Sequence, residues 1–270
     1  MTDTTRKLRL AVLISGGGTN LQAILDRVAA GRLAAEVVVV VSDRPDVHGL
    51  VRAQKTGVPT HVVDYRAYLQ DPSQAMAEEM ATELQELDRT QKILKNPDPA
   101  KRLERLGRLV SAERELIGIL DGYRPDYICL AGFMRLLTPH FLHHYNSPEE
   151  WRVLNIHPAL LPAFPGEHGY EDTFAYGCKW GGITVHFVDE GEDSGPIIAQ
   201  AVYPIWPEDD VTKIRDRGLE LEYEVYSQCI QWLADGQVRF ERRFGDRSDV
   251  LITDPEYRKI LKDWLGKAFA

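Results

Sequence analysis

The sequence predicts an α/β fold, namely a doubly wound, mostly parallel sheet with a helical insertion in one crossover. Short apolar runs alternate with stretches whose apolar residues recur every three or four positions, which is the pattern of strands alternating with helices. The run 37–41 is entirely valine, which is typical of a strand covered on both faces. With 270 residues, 44% of them hydrophobic, the chain is long enough to bury such a core.

Strands are expected where short apolar runs end in turn residues. The first, at 8–14, ends in the glycine-rich loop 15–20, and a helix at 21–28 follows that loop. Later strands are expected at 37–41, 61–63, 127–131, 153–156, 183–188 and 197–203. Further helices are expected at 50–56, at 211–233 and after Asp254-Pro255, where a capping residue precedes a proline.

The stretch 71–122, between the third and fourth strands, is the expected helical insertion. Asp71-Pro72 gives a helix start, and Asn96-Pro97 separates two apolar stripes. The stripes are Met76, Met80, Leu84 and Leu87, and then Leu103, Leu106, Leu109, Val110, Leu116, Ile117 and Leu120. We expect a helical hairpin that packs on the core or contacts a second subunit in a homodimer. Residues 1–238 are expected to form one domain that contains it, and 239–270 a C-terminal helical extension.

The composition excludes several classes of protein. A net charge of −9 argues against nonspecific nucleic-acid binding, although a local pocket could still hold a small anion. Three well-separated cysteines and a short apolar N-terminal run favour a cytoplasmic protein that contacts no membrane. No metal site is expected, because the histidines lie singly or as the adjacent pair His143-His144.

The glycine loop predicts a site for an anion. Backbone N–H groups between a strand and a helix N-terminus bind phosphate, and glycines allow it to approach closely. Leu21 replaces the third glycine of the dinucleotide fingerprint, and no Gly-Lys-Ser/Thr follows, so a monophosphate is the better candidate. Gly18, Thr19 and Asn20 would then hold it. The alternative is that the loop is only a tight turn from strand to helix.

Two later segments carry the side chains needed for acyl transfer. Asn155 and His157 are two apart on an extended run, so their side chains project to the same side. An amide donor stabilises an oxyanion, an imidazole moves a proton, and a carboxylate orients the imidazole. The carboxylate would come from the loop after the sixth strand, but periodicity does not choose among Asp189, Glu190, Glu192 and Asp193. His186 is expected to face a structural neighbour.

These segments resemble the glycinamide ribonucleotide formyltransferases of the folate-dependent formyltransferase family. The likeness lies in Ser15 to Asn20, in Leu130 to Leu137, in Leu154 to Pro162 and in Thr184 to Pro196, which occur in the family's order. It extends over about residues 8–238, apart from the helical insertion. The Asn-x-His-Pro motif combined with Asp-x-Gly-Pro is its most specific part. The sequence departs from the family pattern at Ala159 and Glu192, where serine and an apolar residue are usual.

The resemblance also implies roles for individual residues. It places Asn155, His157 and Asp193 at the catalytic positions, and Gly18, Thr19 and Asn20 at the loop that binds the substrate phosphate. It places Glu222 at an acid that holds the ribose or the amine of the substrate. The stretch that lines the folate pocket would be Met134, Arg135, Leu136 and Leu137.

The expected activity is formyl transfer from 10-formyltetrahydrofolate to the amine of glycinamide ribonucleotide, a step of purine synthesis. In this expectation Asn155 and protonated His157 stabilise the oxyanion, Asp193 orients His157, and no metal takes part. The alternatives are a 10-formyltetrahydrofolate hydrolase, which would use water as acceptor, and a nucleotide-binding module without catalysis. The resemblance implies that such hydrolases carry an extra N-terminal domain, whereas the first strand here is expected near residue 8.

Overall fold

The computed structural model describes residues 6–70, 81–147, 149–244 and 247–269. Seven strands form the main sheet: β1 Leu8–Ile14, β2 Ala35–Ser42, β3 Thr60–Val62, β4 Tyr127–Leu130, β5 Val153–His157, β6 Trp180–Phe187 and β7 Ile197–Pro204. The helices in these ranges are α1 Thr19–Ala29, α2 His48–Lys55, α3 Tyr65–Gln70, α4 Ala81–Thr90, α5 Pro99–Tyr123, α6 Pro139–Tyr145, α7 Gly169–Ala175, α8 Val211–Ala234 and α9 Tyr257–Ala268. A separate hairpin is formed by β8 Val238–Phe244 and β9 Arg247–Ile252.

The main sheet has the strand order β3-β2-β1-β4-β5-β6-β7. Strands β1 to β5 pair in parallel, which confirms the mostly parallel sheet. Strand β6 runs antiparallel to β5, and β7 antiparallel to β6. The segment 188–196 between β6 and β7 contains no helix, and a connection without a crossover joins antiparallel neighbours.

Apolar side chains of the sheet fill two layers, one on each face. Successive residues of β1 alternate between them, since Val12 belongs to one buried cluster and Leu13 to the other. The first cluster lies under α1, α8 and α9, and the second under α5 and α6. The fold is therefore doubly wound, as the sequence predicts.

The predicted helical hairpin at 71–122 does not form a unit separate from the core. Its first half falls partly on residues 71–80, including Met76 and Met80, which lie outside the described residues. Leu84 and Leu87 of α4 pack against the N-terminal half of α5, as the two stripes predict. Leu116 and the neighbouring apolar residues of α5 instead belong to the second cluster, which packs on the sheet. Helix α5 is therefore a layer of the core as well as one arm of the hairpin.

The predicted C-terminal helical extension is helical only in its second half. The hairpin β8–β9 precedes α9, and Val238, Phe240, Val250 and Ile252 pack against the first cluster. In each strand these apolar residues are two positions apart, which is the strand period. The charged residues around them make this short pattern hard to recognise in the sequence. In the described part of the chain, no helix is both long and apolar enough to span a membrane.

Candidate active site

The candidate site lies at the carboxyl ends of β1, β4 and β5, where the strand order reverses direction. From β1 the sheet continues to β2 and β3, and from β4 it continues the opposite way to β5. Such a reversal opens a crevice in which open α/β sheets bind their ligands. Ser15 joins the loops on both sides of it. Its N–H donates to the Gly132 carbonyl (2.9 Å), and its hydroxyl oxygen accepts from the Met134 N–H (2.7 Å).

Asn155, His157 and Asp193 come together from two elements. The first two lie on β5, and Asp193 lies in the loop 188–196 that follows β6. His157 Nδ1 is 3.3 Å from Asp193 Oδ2, and Asn155 Nδ2 is 3.5 Å from Asp193 Oδ1. Both contacts of the Asn155 amide nitrogen are long, so its N–H groups stay available to a closer acceptor. The roles of the three residues in a reaction stay predictions.

His157 is held between two oxygen acceptors. Its Nε2 lies 2.8 Å from the Phe164 carbonyl oxygen, opposite the contact of Nδ1 with Asp193. Only an imidazolium donates through both nitrogens. Burial lowers the pKa of His157 overall, although the negative charge of Asp193 and the Phe164 carbonyl act in the opposite direction. The lowered pKa favours the neutral imidazole, and the two oxygen acceptors are placed to hold a proton that it takes up.

The Asp193 carboxylate is fixed by its own backbone and by Gly166. Asp193 has a φ of +51°, in the left-handed region, and the Gly166 N–H donates to its Oδ2 at 2.8 Å. Burial raises the pKa of Asp193, but a hydrogen bond from His186, the charge of His157 and the Gly166 N–H together lower it. Asp193 is thus an ionised, positioned acceptor. The loop requires glycine at Gly195, where an added Cβ would lie 1.9 Å from the Phe187 carbonyl oxygen.

His186 belongs to the same cluster, which differs from the expectation that it faces a structural neighbour. Its Nε2 lies 3.5 Å from Asp193 Oδ1 and 3.4 Å from Asn155 Nδ2, and only 2% of the residue is exposed. The antiparallel pairing of β5 with β6 sets His186 directly opposite Asn155. The missing signal was strand direction, because an expectation of parallel strands does not give this register.

A cavity of about 180 Å³ adjoins the cluster. Asn155, His157, His186 and Asp193 line one side of it. The segment 130–137 after β4 lines another and includes all four residues expected to contact a folate. Among the described residues, no group of three or more potential metal ligands occurs.

The four residues expected to contact a folate differ in how much of each side chain is exposed. Met134 and Leu136 are 47% and 41% exposed, which is high for side chains of this size. The Arg135 guanidinium is occupied, since it lies 2.6 Å from the fully buried Asp43 carboxylate. Leu137 is buried in the core. The segment therefore offers mainly apolar surface and backbone groups to a ligand.

The glycine loop lies at the adjoining strand end, as predicted. Gly18 has a φ of +69° and precedes α1, and a Cβ added there would lie 2.7 Å from the Gly49 Cα of α2. Gly18 is therefore needed for the contact between two helix starts as well as for access to the loop. Thr19 is exposed, whereas Asn20 is buried and turned towards α8.

Glu222 of α8 reaches the glycine loop. Asn20 Nδ2 donates to its Oε2 at 2.6 Å, and the Tyr170 hydroxyl donates to its Oε1. Burial raises the pKa of Glu222, and these two hydrogen bonds oppose that rise. The Oδ1 atom of Asn20 is buried without a hydrogen-bond partner among the described residues. A buried unpaired acceptor beside a carboxylate suits a ligand that donates through an amine or a hydroxyl.

The chain is similar in sequence and structure to proteins of known activity. The family described as formyl transferase matches residues 8–230. The phosphoribosylglycinamide formyltransferase of Escherichia coli K12 is 34% identical over 232 residues, which cover 86% of this chain and 90% of that protein.

Two solved structures agree with this finding. The phosphoribosylglycinamide formyltransferase of Coxiella burnetii superposes with a TM-score of 0.70 at 32% identity, covering 92% of this chain and 94% of the other. The glycinamide ribonucleotide transformylase 1 of Symbiobacterium toebii gives 0.69 at 36% identity, with 92% and 95% coverage.

Proposed function

The chain belongs to the formyl transferase family, and from this premise we propose that it transfers the formyl group of 10-formyltetrahydrofolate to the amine of glycinamide ribonucleotide. The products are formylglycinamide ribonucleotide and tetrahydrofolate. The observation that carries the proposal is the convergence of Asn155, His157 and Asp193 beside a largely apolar cavity. An amide donor, an imidazole and a carboxylate are what attack on an activated formyl carbon requires.

In the proposed reaction, the substrate amine attacks the formyl carbon, and a tetrahedral intermediate forms. The carbon-to-N10 bond of the folate then breaks, N10 gains a proton and the new amide nitrogen has lost one. Neutral His157 takes the proton that leaves the amine, which agrees with its lowered pKa. The resulting imidazolium, together with the Asn155 amide, stabilises the oxyanion. This order differs from the expectation that His157 is protonated from the start.

Asp193 is proposed as the group that orients His157 and stabilises its charge. It stays ionised because Gly166 and the two imidazoles hold its carboxylate. The proton on His157 then passes to N10 of the departing folate, directly or by way of one water molecule. The protein groups provide positioning and charge stabilisation, since the formyl donor is already activated.

The two substrates are proposed to bind at adjoining strand ends. The folate would occupy the cavity along Met134, Arg135, Leu136 and Leu137, whose exposed side chains are apolar. The phosphate of the ribonucleotide would bind at Gly18, Thr19 and Asn20, at the start of α1. Glu222 would accept from the ribose hydroxyls or the amine, because it already lies against Asn20.

We also propose a cytoplasmic location. All three cysteines are free thiols, and Cys129 and Cys229 are buried. Unpaired thiols persist in a reducing compartment.

One assay separates this proposal from its rivals. The full chain is incubated with 10-formyltetrahydrofolate, with and without glycinamide ribonucleotide, and tetrahydrofolate and formylated ribonucleotide are both measured. Formation of both products only when the ribonucleotide is present supports the transferase. Release of formate without it would indicate the hydrolase, and binding without turnover would indicate a nucleotide-binding module.

A further inference from the structure

The turn between α4 and α5, residues 91–98, forms part of the cavity wall. Ile93 of this turn lines the cavity and is partly buried there. The other lining residues come from segments that end or follow strands of the sheet, at 130–137, 155–158, 166–167 and 186–193. Ile93 is therefore a lining residue that does not come from the strand ends on which the proposed catalytic residues lie.

Hydrogen bonds within the turn fix its conformation. The Gln91 side chain accepts from the Leu94 N–H at 2.7 Å and donates to the Leu94 carbonyl at 3.1 Å. The Arg102 guanidinium donates to both carboxylate oxygens of Asp88, at 2.5 and 2.7 Å, and to the Asn96 carbonyl at 2.8 Å. Such a two-point arginine–carboxylate pair restricts geometry strongly. The wall is therefore preformed.

Helix α4 is also attached to the helices that cover the sheet. Glu83 of α4 lies 2.6 Å from the Arg114 guanidinium of α5 and 2.8 Å from Nδ1 of His140 in α6. Leu94 packs against the small cluster that α4 and α5 form and also against the second cluster of the sheet. These contacts set the position of Ile93 relative to the cavity.

The turn also carries a positive charge, because Lys92 precedes Ile93 in the chain. Asp189 and Glu192 also line the cavity, and Glu190 lies between them in the chain. Burial raises the pKa of Glu190, but hydrogen bonds from its own N–H and from His143, with the charges of His143 and Lys92, lower it overall. Lys92 is exposed and forms no ion pair within the part of the chain that the structure describes. Its exposed ammonium group can therefore also bind an anionic group of a ligand.

We propose that the turn 91–98 is a specificity-determining part of the formyl-donor site. Ile93 packs against the ring system of 10-formyltetrahydrofolate, and Lys92 binds a carboxylate of its glutamyl tail. The inference rests on the proposed function, because it takes that folate to be the occupant of the cavity. The ligand's chemistry matches the wall, since its p-aminobenzoyl ring presents flat apolar faces. Its tail carries two carboxylates, which Asp189 and Glu192 would repel without a cation.

Binding of two related folates to the full chain tests both contacts. The probes are tetrahydrofolate and tetrahydropteroate, which has the same rings but no glutamate, and binding is measured by anaerobic calorimetry. Lys92→Gln should weaken tetrahydrofolate binding by about 2–5-fold, the range of an exposed ion pair, and leave tetrahydropteroate binding unchanged. Ile93→Ala should weaken both by about 3–10-fold through lost apolar contact. Lys95→Gln replaces an exposed lysine of the same turn, so it is the control and should change neither.

The outcomes separate this inference from the proposed function. Equal effects of Lys92→Gln on both probes, or none, would overturn the tail contact, and unchanged binding to Ile93→Ala would overturn the wall contact. Melting temperature and affinity for glycinamide ribonucleotide verify folding. If Ile93→Ala unfolds, Ile93→Val should still weaken both probes by about twofold. A wild-type chain that binds neither probe and transfers no formyl group would reject both proposals, whereas active, unaltered variants would reject only the turn.

Discussion

Replacing Asp193 by Asn removes one negative charge from the cluster that it forms with Asn155 and His157, and it keeps the shape of the side chain. The carboxylate oxygen lies 3.3 Å from His157 Nδ1, so the two charges would be about 4 Å apart once His157 is protonated. At an effective dielectric constant of about 20, that pair is worth about 4 kcal/mol. If the imidazolium forms on the way to the transition state, Asp193→Asn should lower kcat by about 10³-fold. The hydrogen bond from the Gly166 N–H can still be accepted by the new amide oxygen, so the fold should persist.

The pH profile gives the sign of the same effect. The Asp193 charge raises the pKa of His157 against the effect of burial, so its removal lowers that pKa further. Because neutral His157 is needed for the proton transfer, the acidic limb of kcat/KM should move to lower pH in Asp193→Asn. The assay is steady-state formyl transfer over a range of pH, with Asp189→Asn as the control. Asp189 accepts from the Ser194 hydroxyl (2.7 Å), and no contact with the imidazoles is observed.

Two results would refute this reasoning. A folded Asp193→Asn variant with near-normal kcat would show that the carboxylate does not stabilise a charge on His157. An acidic limb that stays in place or moves to higher pH would show that the titrating group is not coupled to Asp193. Equal losses in Asp189→Asn and Asp193→Asn would assign the effect to the net charge of the loop.

Three further predictions concern the imidazole, the substrate acid and the hairpin. His157→Ala should lower kcat by roughly 10²–10⁴-fold with an unchanged circular dichroism spectrum, and near-normal turnover would remove it from the mechanism. Glu222→Gln leaves one of two buried donors without its carboxylate acceptor, so KM for glycinamide ribonucleotide should rise by roughly tenfold with little change in KM for the folate. A larger effect on the folate would reverse the assignment of the two substrate sites. Deleting residues 73–116 should abolish folding, because this range includes core residues of α5 such as Leu109, and each such buried leucine contributes about 1.5–3 kcal/mol. A cooperative melting transition in the deletion variant would contradict that expectation.

The parts of the fold that depend on local pattern could be predicted from the sequence. The strand–loop–helix unit at 8–28 has a run of apolar residues, a glycine loop and a helical period, and each is a short-range signal. Pairing direction is not local, which is why antiparallel β6 and the position of His186 beside Asn155 were not predicted. Helix α5 shows the same limit. Its apolar residues contact both α4 and the sheet, and their periodicity does not tell which residue contacts which partner.

The candidate site could be predicted to the level of residue types, but not of their surroundings. Asn155 and His157 share a face by the strand period, and this follows from the sequence alone. Choosing Asp193 among four acids needed the family resemblance. In the structure, the Asp193 carboxylate lies beside the imidazoles of His157 and His186, whereas the Asp189 carboxylate binds within its own loop. Such a choice depends on the loop path, which no periodic signal encodes.

The single carboxylate of Asp193 lies close to the imidazoles of both His157 and His186, and this restricts which of the two rings can be protonated. Asp193 lies 3.3 Å from a nitrogen of His157 and 3.5 Å from one of His186. A charge on His186 lowers the pKa of His157, so protonating both rings is unfavourable. Nδ1 of His186 lies 2.8 Å from the Phe187 carbonyl oxygen, which favours a proton on that nitrogen. The Asn155 amide nitrogen lies 3.4 Å from His186 Nε2 and 3.5 Å from Asp193 Oδ1, and neither contact is short enough to hold it. The arrangement therefore keeps a single mobile proton at His157 and a free amide donor beside it, which is the combination that an oxyanion forming at that point requires.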